Sequence, residues 1–383
     1  MSAAIPHPTG LGRPRVLVAP DKLKGTLTAV EAAHAIGDGV HDVWPSASVT
    51  TLPFADGGEG TVDALVAAGA ETRVDTVTGP LGEPVDARWA LLGDVAMVEM
   101  AAASGLPLVT PSPRTALASH TEGTGELIRL AIAAGARRVL VGVGGSASTD
   151  GGAGALRALG VRLLDASGAP AVGGGGDLAR IASVDASAAR ALLAGVELVL
   201  CSDVANPFVG ERGAAHVFGP QKGADPATVA LLDDGLRSFA RVVDAATGVD
   251  LEGADWGGSG GGIAGGLVAV LGASAADGVE LLADLLDLDA AIAASDLVVV
   301  AEGSLDSQSL MGKTPVGIAR HAAALGVPCV AVAGRVLVDA SALAEVGIAD
   351  AVAAVDVAPS PADALAEPAR WLRAATVEVL RRR

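Results

Sequence analysis

The chain has 383 residues, more than one hydrophobic core usually organises (~250–300 residues), so two domains are expected. With 51% apolar and only 18% charged residues it has ample material to bury, which argues against disorder. Aromatics make up 2% and the formal net charge is −18, so base-stacking surfaces and attraction to phosphate backbones or anionic membranes are both excluded.

In chain order, Met1 to Arg15 holds no apolar stretch of signal-peptide length, and residues 1–13 read as a tail. No uninterrupted membrane-spanning run follows. The two cysteines, Cys201 and Cys329, each sit in an apolar run and read as buried free thiols, which fits a cytoplasmic location. Strands are expected at Val16–Pro20, Val49–Phe54, Val95–Met100, Val139–Val143, Glu197–Cys201, Leu297–Ala301, Cys329–Ala333 and Ala351–Val355, separated by alanine-rich helical stretches. That alternation is the pattern of parallel strands with crossover helices. Thr28 with Glu31 reads as a capping box, and Thr314-Pro315 as a helix start with Thr314 as N-cap. Thr72 to Trp89 breaks the rhythm and reads as two antiparallel strands. The expected fold is α/β: a doubly wound, Rossmann-like parallel sheet built from both chain ends (14–75 and 290–383), with a second mixed α/β domain inserted (76–289).

Ligands of open α/β sheets bind beyond the carboxyl ends of strands, so polar residues there carry weight. Five segments qualify: Asp21 to Gly25 with Lys24, Asp56-Gly57-Gly58-Glu59, Gly144-Gly145-Ser146 through Asp150, Ser202-Asp203 to Asn206, and Glu302 to Asp306. Each alone reads as an ordinary turn. Together they supply what phosphoryl transfer requires: carboxylates for magnesium and for the attacking hydroxyl, flexible amides for phosphate oxygens, and lysines to offset charge. Gly312-Lys313-Thr314 is not a Walker A, because Ser307 stands where its first glycine belongs, yet Lys313 lies at a helix start that favours phosphate. Gly260-x-Gly262-x-x-Gly265 lacks a preceding strand, whereas Gly142-x-Gly144-x-x-Ala147 follows one and keeps open an NAD(P)-dependent oxidoreductase of a small hydroxy acid. A non-catalytic metabolite-binding protein is a third reading. Scattered histidines give no zinc spacing, and His216 reads as a packed or surface strand residue.

From Val16 to about Val355 the chain resembles the first family of glycerate kinases, the ATP-using bacterial type. The resemblance rests on Pro20-Asp-Lys-Leu-Lys-Gly-Thr-Leu27, Ala55-Asp-Gly-Gly-Glu-Gly-Thr61, Gly123-Thr-Gly-Glu-Leu-Ile128, Gly144-Gly-Ser-Ala-Ser-Thr-Asp-Gly-Gly-Ala-Gly154, Asp203-Val-Ala-Asn-Pro207, Gly219-Pro-Gln-Lys-Gly-Ala224, and Glu302-Gly-Ser-Leu-Asp-Ser-Gln308 with Gly312-Lys313. It implies two α/β domains with the active cleft between them, ATP with Mg2+, and phosphorylation of (R)-glycerate, usually at the 2-hydroxyl. The chain is then a monomer or homodimer with small-molecule partners only, glycerate and ATP. Asp21, Lys24, Asp203, Asp306 and Lys313 are assigned to catalysis, with Asp203 and Asp306 as metal ligands. Asp56, Gly57, Gly58, Glu59, Gly144, Gly145, Ser146, Asp150, Asn206, Gln221, Lys222 and Glu302 are assigned to substrate or nucleotide. Lys22-Leu23, Ser304, Met311 and Gly260-Gly-Gly-Ile263 depart from the family pattern and bear on substrate preference.

Overall fold

The computed structural model describes residues 13–201, 206–311 and 313–382. Backbone proximity divides the described residues into two compact units, one comprising those up to Asp56, Asp63–Gly69 and those from Gly278 onward, the other those of Gly57–Val62 and Ala70–Asp277.

The first unit is built on a five-stranded, wholly parallel sheet, in the order Ile348–Ala353, Cys329–Val336, Leu297–Leu305, Arg15–Pro20, Ser48–Thr51. Its three central strands, Arg15–Pro20, Leu297–Leu305 and Cys329–Val336, are apolar on both faces over most of their length because helices cover both. Val16 and Val18 point to one layer with Val299, Val330 and Val332, packed on Ile36 and Val40 of helix Ala29–Val43 and on Leu372 and Val379 of helix Pro368–Arg381. Leu17 and Ala19 point to the other, with Val298, Val300 and Ala331, beneath Leu282, Ile292, Val316 and Ile318. Each such Val or Leu, buried almost completely, is worth about 1.5–3 kcal/mol. The capping box forms as expected, Thr28 Oγ1 accepting from Glu31 N and Glu31 accepting from Thr28 N.

The second unit holds a six-stranded mixed sheet, in the order Ser274–Ala276, Glu197–Cys201, Arg138–Gly142, Val95–Glu99, Pro84–Leu92, Glu71–Thr78. The first four strands run parallel, and the last two form the expected antiparallel pair at its edge. Helix Glu122–Ala133 lies against this sheet through Leu127, Ile128 and Ala131. A separate pair, Arg162–Leu164 with Ser183–Asp185, lies outside both sheets.

Several local expectations change, among them the strand expected at Ala351–Val355, which runs Ile348–Ala353 and gives way to helix Ala354–Val357. The Leu297 strand does not stop at Ala301 but continues to Leu305, because Glu302, Ser304 and Leu305 keep their partners Ala333, Arg335 and Val336. The Ser48 strand ends at Thr51, short of Phe54. Lys313, not Thr314, is the N-cap of helix Thr314–Ala324, and the Thr314 hydroxyl bonds elsewhere. His216 is exposed on the short helix Ala214–Phe218, not on a strand. Both cysteines are buried and free, and desolvation raises both thiol pKa values, that of Cys201 to about 12. Among the described residues no helix is long and apolar enough to cross a membrane.

Close packing through glycine gives a paired test. A Cβ on Gly123 would lie 2.0 Å from the Thr78 carbonyl oxygen, whereas one on Gly37, inside helix Ala29–Val43, would meet only Val49 Cγ1 at an ordinary 3.7 Å. Gly123→Ala is expected to destabilise by about 2 kcal/mol or more. Gly37→Ala is expected to stabilise by about 0.5–1 kcal/mol, by lowering unfolded-chain entropy. Denaturant midpoints of the two variants check this, and midpoints moving the same way would contradict the packing described.

Candidate active site

In the first unit, parallel pairing places the ends of two strands side by side, Pro20 opposite Ala301, and Asp21 N donates to Ala301 O at 2.8 Å. Asp21 therefore leaves its strand next to Glu302, which is still inside its own. The Asp21 carboxylate accepts from Lys22 N at 2.6 Å and from Thr314 Oγ1 at 2.9 Å. Loss of hydration nevertheless pushes its pKa up to about 6; the Lys22 charge opposes this and the Asp56 charge reinforces it. Glu302, 7% exposed, accepts from the Ser309 hydroxyl. Desolvation raises its pKa to about 7, against the pull of Ser309 and Lys313 and with the repulsion of Asp21 and Asp306. Asp306 behaves oppositely. Its Oδ1 accepts from Gln308 N at 2.9 Å and Ser309 N at 3.2 Å, and these backbone donors hold it below the usual carboxylate range.

Two lysines belong to the same unit. Lys313 stands in extended backbone just before helix Thr314–Ala324, with Pro315 in its first turn. Lys24 is exposed on a tight loop closed by Leu23 N to Leu27 O at 2.9 Å and turned by Gly25 at φ +80°. The unit thus brings together Asp21, Glu302, Asp306 and Lys313 of the predicted set, with Asp56 near enough to Asp21 to act on its charge.

The second unit has its own constellation. Gly57 to Val62 is anchored by Glu99, whose Oε1 accepts from Gly60 N at 3.0 Å and Val62 N at 2.8 Å. The Gly57 carbonyl presses on Gly142, where a Cβ would lie 2.4 Å away. Glu59 is exposed here, and Gly144 and Gly145 are exposed on the loop that follows strand Arg138–Gly142. Asp150, fully buried, sits inside this loop's frame, accepting from Thr121 N at 2.9 Å, Thr121 Oγ1 at 2.8 Å, Gly152 N at 3.2 Å and Gly154 N at 3.0 Å. Lys222 is 2% exposed. Its ammonium donates to Ser146 Oγ at 2.8 Å and to the Ser148 carbonyl. Burial drives its pKa down to about 7, with Asp150 the opposing influence. Gly261 must be glycine, since its φ is +75° and a Cβ would lie 2.0 Å from Ser148 O and 3.0 Å from Lys222 Nζ.

Of the remaining residues, Gln221 is exposed on the turn Pro220–Lys222, and Asn206 Nδ2 donates to Arg212 O at 2.8 Å. Asp203 lies outside the described residues. Sequence reasoning missed Glu99, Thr121, Ser309 and Thr314. Glu99 ends an apolar strand and met the same criterion as the chosen carboxylates; Thr314 was read only as a helix cap, and Thr121 and Ser309 carry no sequence signal, because each acts on a residue distant in the chain or in the turn. After Gly142 the next helix begins only at Ala153, so no helix N-terminus meets the glycine turn that a dinucleotide site requires.

Comparison with known proteins gives a consistent result. A profile described as the glycerate kinase family matches residues 16–383. A glycerate kinase of Bacillus subtilis (strain 168) is 44% identical over 337 residues, spanning 87% of this chain and 88% of that one. A glycerate 2-kinase of Escherichia coli (strain K12) is 43% identical, spanning 89% and 90%. The crystal structure of a candidate glycerate kinase 2 from Salmonella typhimurium LT2 superposes with a TM-score of 0.85 at 39% identity, covering 97% of this chain and 98% of that one.

Two of the shifted groups, Glu302 and Lys222, impose opposite pH dependences on stability. Glu302 is raised from 4.5 to about 7, so in that window the folded chain holds the extra proton and the stability conferred falls as pH rises. Lys222 is lowered from 10.5 to about 7, so the unfolded chain holds the extra proton and stability rises with pH. Relative to Glu302→Gln, the wild type is expected to lose about 3 kcal/mol between pH 4.5 and 7; relative to Lys222→Met, it gains on the order of 4 kcal/mol between pH 7 and 10. Urea titrations across pH check both, and flat or inverted differences would overturn the desolvation argument.

Proposed function

The chain belongs to the glycerate kinase family, and we propose that it transfers the γ-phosphoryl group of ATP to the 2-hydroxyl of (R)-glycerate, giving 2-phosphoglycerate and ADP. The observation that carries the residue assignment is the grouping of Asp21, Glu302, Asp306 and Lys313 in one unit, with the Asp21 and Glu302 carboxyl groups shifted up and that of Asp306 shifted down. Asp21, with a pKa of about 6, is ionised at neutral pH and close to ideal for taking the proton from the attacking hydroxyl. The new O–P bond then forms as the bond to the ADP oxygen breaks. Lys24 and Lys313 offset charge on the transferring phosphoryl group, and the amides in the first turn of helix Thr314–Ala324 are suited to its oxygens. Gly57, Gly58, Gly144, Gly145 and Ser146 offer backbone or hydroxyl contacts, and Asp56, Glu59, Asn206, Gln221, Lys222, Asp150 and Glu302 contact or frame substrate and nucleotide.

Magnesium fits the donor chemistry. Among the described residues no three His, Cys, Asp or Glu side chains form a cage, but magnesium needs only one or two carboxylates beside substrate phosphates. Asp306, held below the usual carboxylate range by the turn amides, would be one such ligand, and Asp203, outside the described residues, is assigned as the other by its side-chain type alone. Bound there, the ion would supply charge neutralisation of the ATP phosphates. The buried, unpaired thiols of Cys201 and Cys329 support a cytoplasmic setting.

Phosphorus NMR of a reaction with ATP, magnesium and (R)-glycerate should show 2-phosphoglycerate; ATP binding without turnover on glycerate would leave a binding protein, and the 3-phosphate would overturn the regiochemistry. Lys24→Ala, Asp306→Asn and Asp21→Asn should each lower kcat by about 10²–10⁴-fold. In the wild type kcat/KM should fall tenfold per pH unit below about 6, a limb that Asp21→Asn removes. Full kcat in the folded variants would sink the assignments.

A further inference from the structure

The strand Glu71–Thr78 closes one edge of the six-stranded sheet and, among the described residues, pairs on one side only, with Pro84–Leu92. It is eight residues long and contains no proline, and its centre carries Val74, 59% exposed. Proteins ordinarily shorten, twist or cover such an edge, because its outward amides and carbonyls are a template for another strand. We propose that it is a dimerisation edge, joined by a two-fold axis to the same strand of a second copy so that the two sheets become one.

Charge selects the register. A two-fold axis perpendicular to the sheet keeps every side chain on its own face, so the axis must pass through a residue. Centred on Val74, the pairing sets Val74 against Val74, Thr72 against Thr76, and each Arg73 against the other copy's Asp75. Centred one residue earlier, Arg73 would oppose Arg73 and Glu71 would oppose Asp75; one residue later, Asp75 would oppose Asp75. Directly opposed like charges are destabilising and opposite charges favourable, so the neighbouring registers are disfavoured and the Val74 register remains. Arg73 and Asp75 are already held for this. Arg73 bonds Glu71 at 3.1 Å and lies 5.4 Å over the Trp89 ring, and Trp89 Nε1 donates to Asp75 Oδ2 at 2.8 Å. Both charges are therefore fixed on one face of the strand before any partner arrives, which lowers the entropic cost of pairing.

Sedimentation equilibrium of the full chain tests the proposal. The expected species has about twice the 37.3 kDa chain mass, and Val74→Lys should weaken its dissociation constant about tenfold or more while leaving circular dichroism unchanged. Register is read by cross-linking under oxidised glutathione, the native thiols being buried. Val74→Cys should give a covalent dimer, because directly opposed residues lie within disulfide reach. Thr76→Cys should not, since its two copies would be about 13 Å apart along the strands. A monomer at all concentrations, a dimer indifferent to Val74→Lys, or cross-linking at Thr76 in place of Val74 would each overturn the inference.

Discussion

Ionisable groups kept out of water are the constraint on which the rest of this structure depends. Asp21, Glu302 and Lys222 are all pushed toward their neutral forms, chiefly by lost hydration, and each shift of one pKa unit corresponds to about 1.4 kcal/mol. The parallel sheet of the first unit produces the first two, because its central strands are buried on both faces and pair in register, so Asp21 at the end of one is brought beside Glu302, still inside its neighbour. A desolvated acid is costly for stability, and one of the two, Asp21, is the residue we propose takes the proton.

Small side chains make this possible. With aromatics at 2% of the chain, the layers are packed from alanine, valine and leucine, and loops approach each other through glycine. Gly142 admits the Gly57 carbonyl, and Gly261 admits both the Ser148 carbonyl and the Lys222 ammonium. These contacts hold polar loops close to fixed strands, which gives the amides defined positions instead of the latitude of open turns.

Much of the fold was legible in the sequence, because strand burial on both faces writes continuous runs such as Val16–Ala19 and Val298–Ala301. What was lost was lost for identifiable reasons. The Leu297 strand runs on through Glu302 because ladder partners across the sheet, invisible to local pattern, override a polar residue. The strands Arg162–Leu164, Ser183–Asp185 and Ser274–Ala276 are too short to show a period. Among the candidate site residues, Asp21, Lys24 and Asp56 were chosen by type and by place after strands, and Lys313 by its place at a helix start. Their partners did not: Thr121 reaches Asp150 across 29 positions and Thr314 reaches Asp21 across 293, separations that only folding closes.

The most direct test of the central claim is to titrate the acids themselves, by carbon-13 NMR of the Asp21 and Glu302 carboxyl carbons in the free protein, with Asp21→Asn and Glu302→Gln to assign the signals. Midpoints near 6 for Asp21 and near 7 for Glu302 are predicted, with Asp306 below the usual carboxylate range. Midpoints near 4 for both Asp21 and Glu302 would contradict the account, since carboxyls titrating there would be hydrated as ordinary surface groups are.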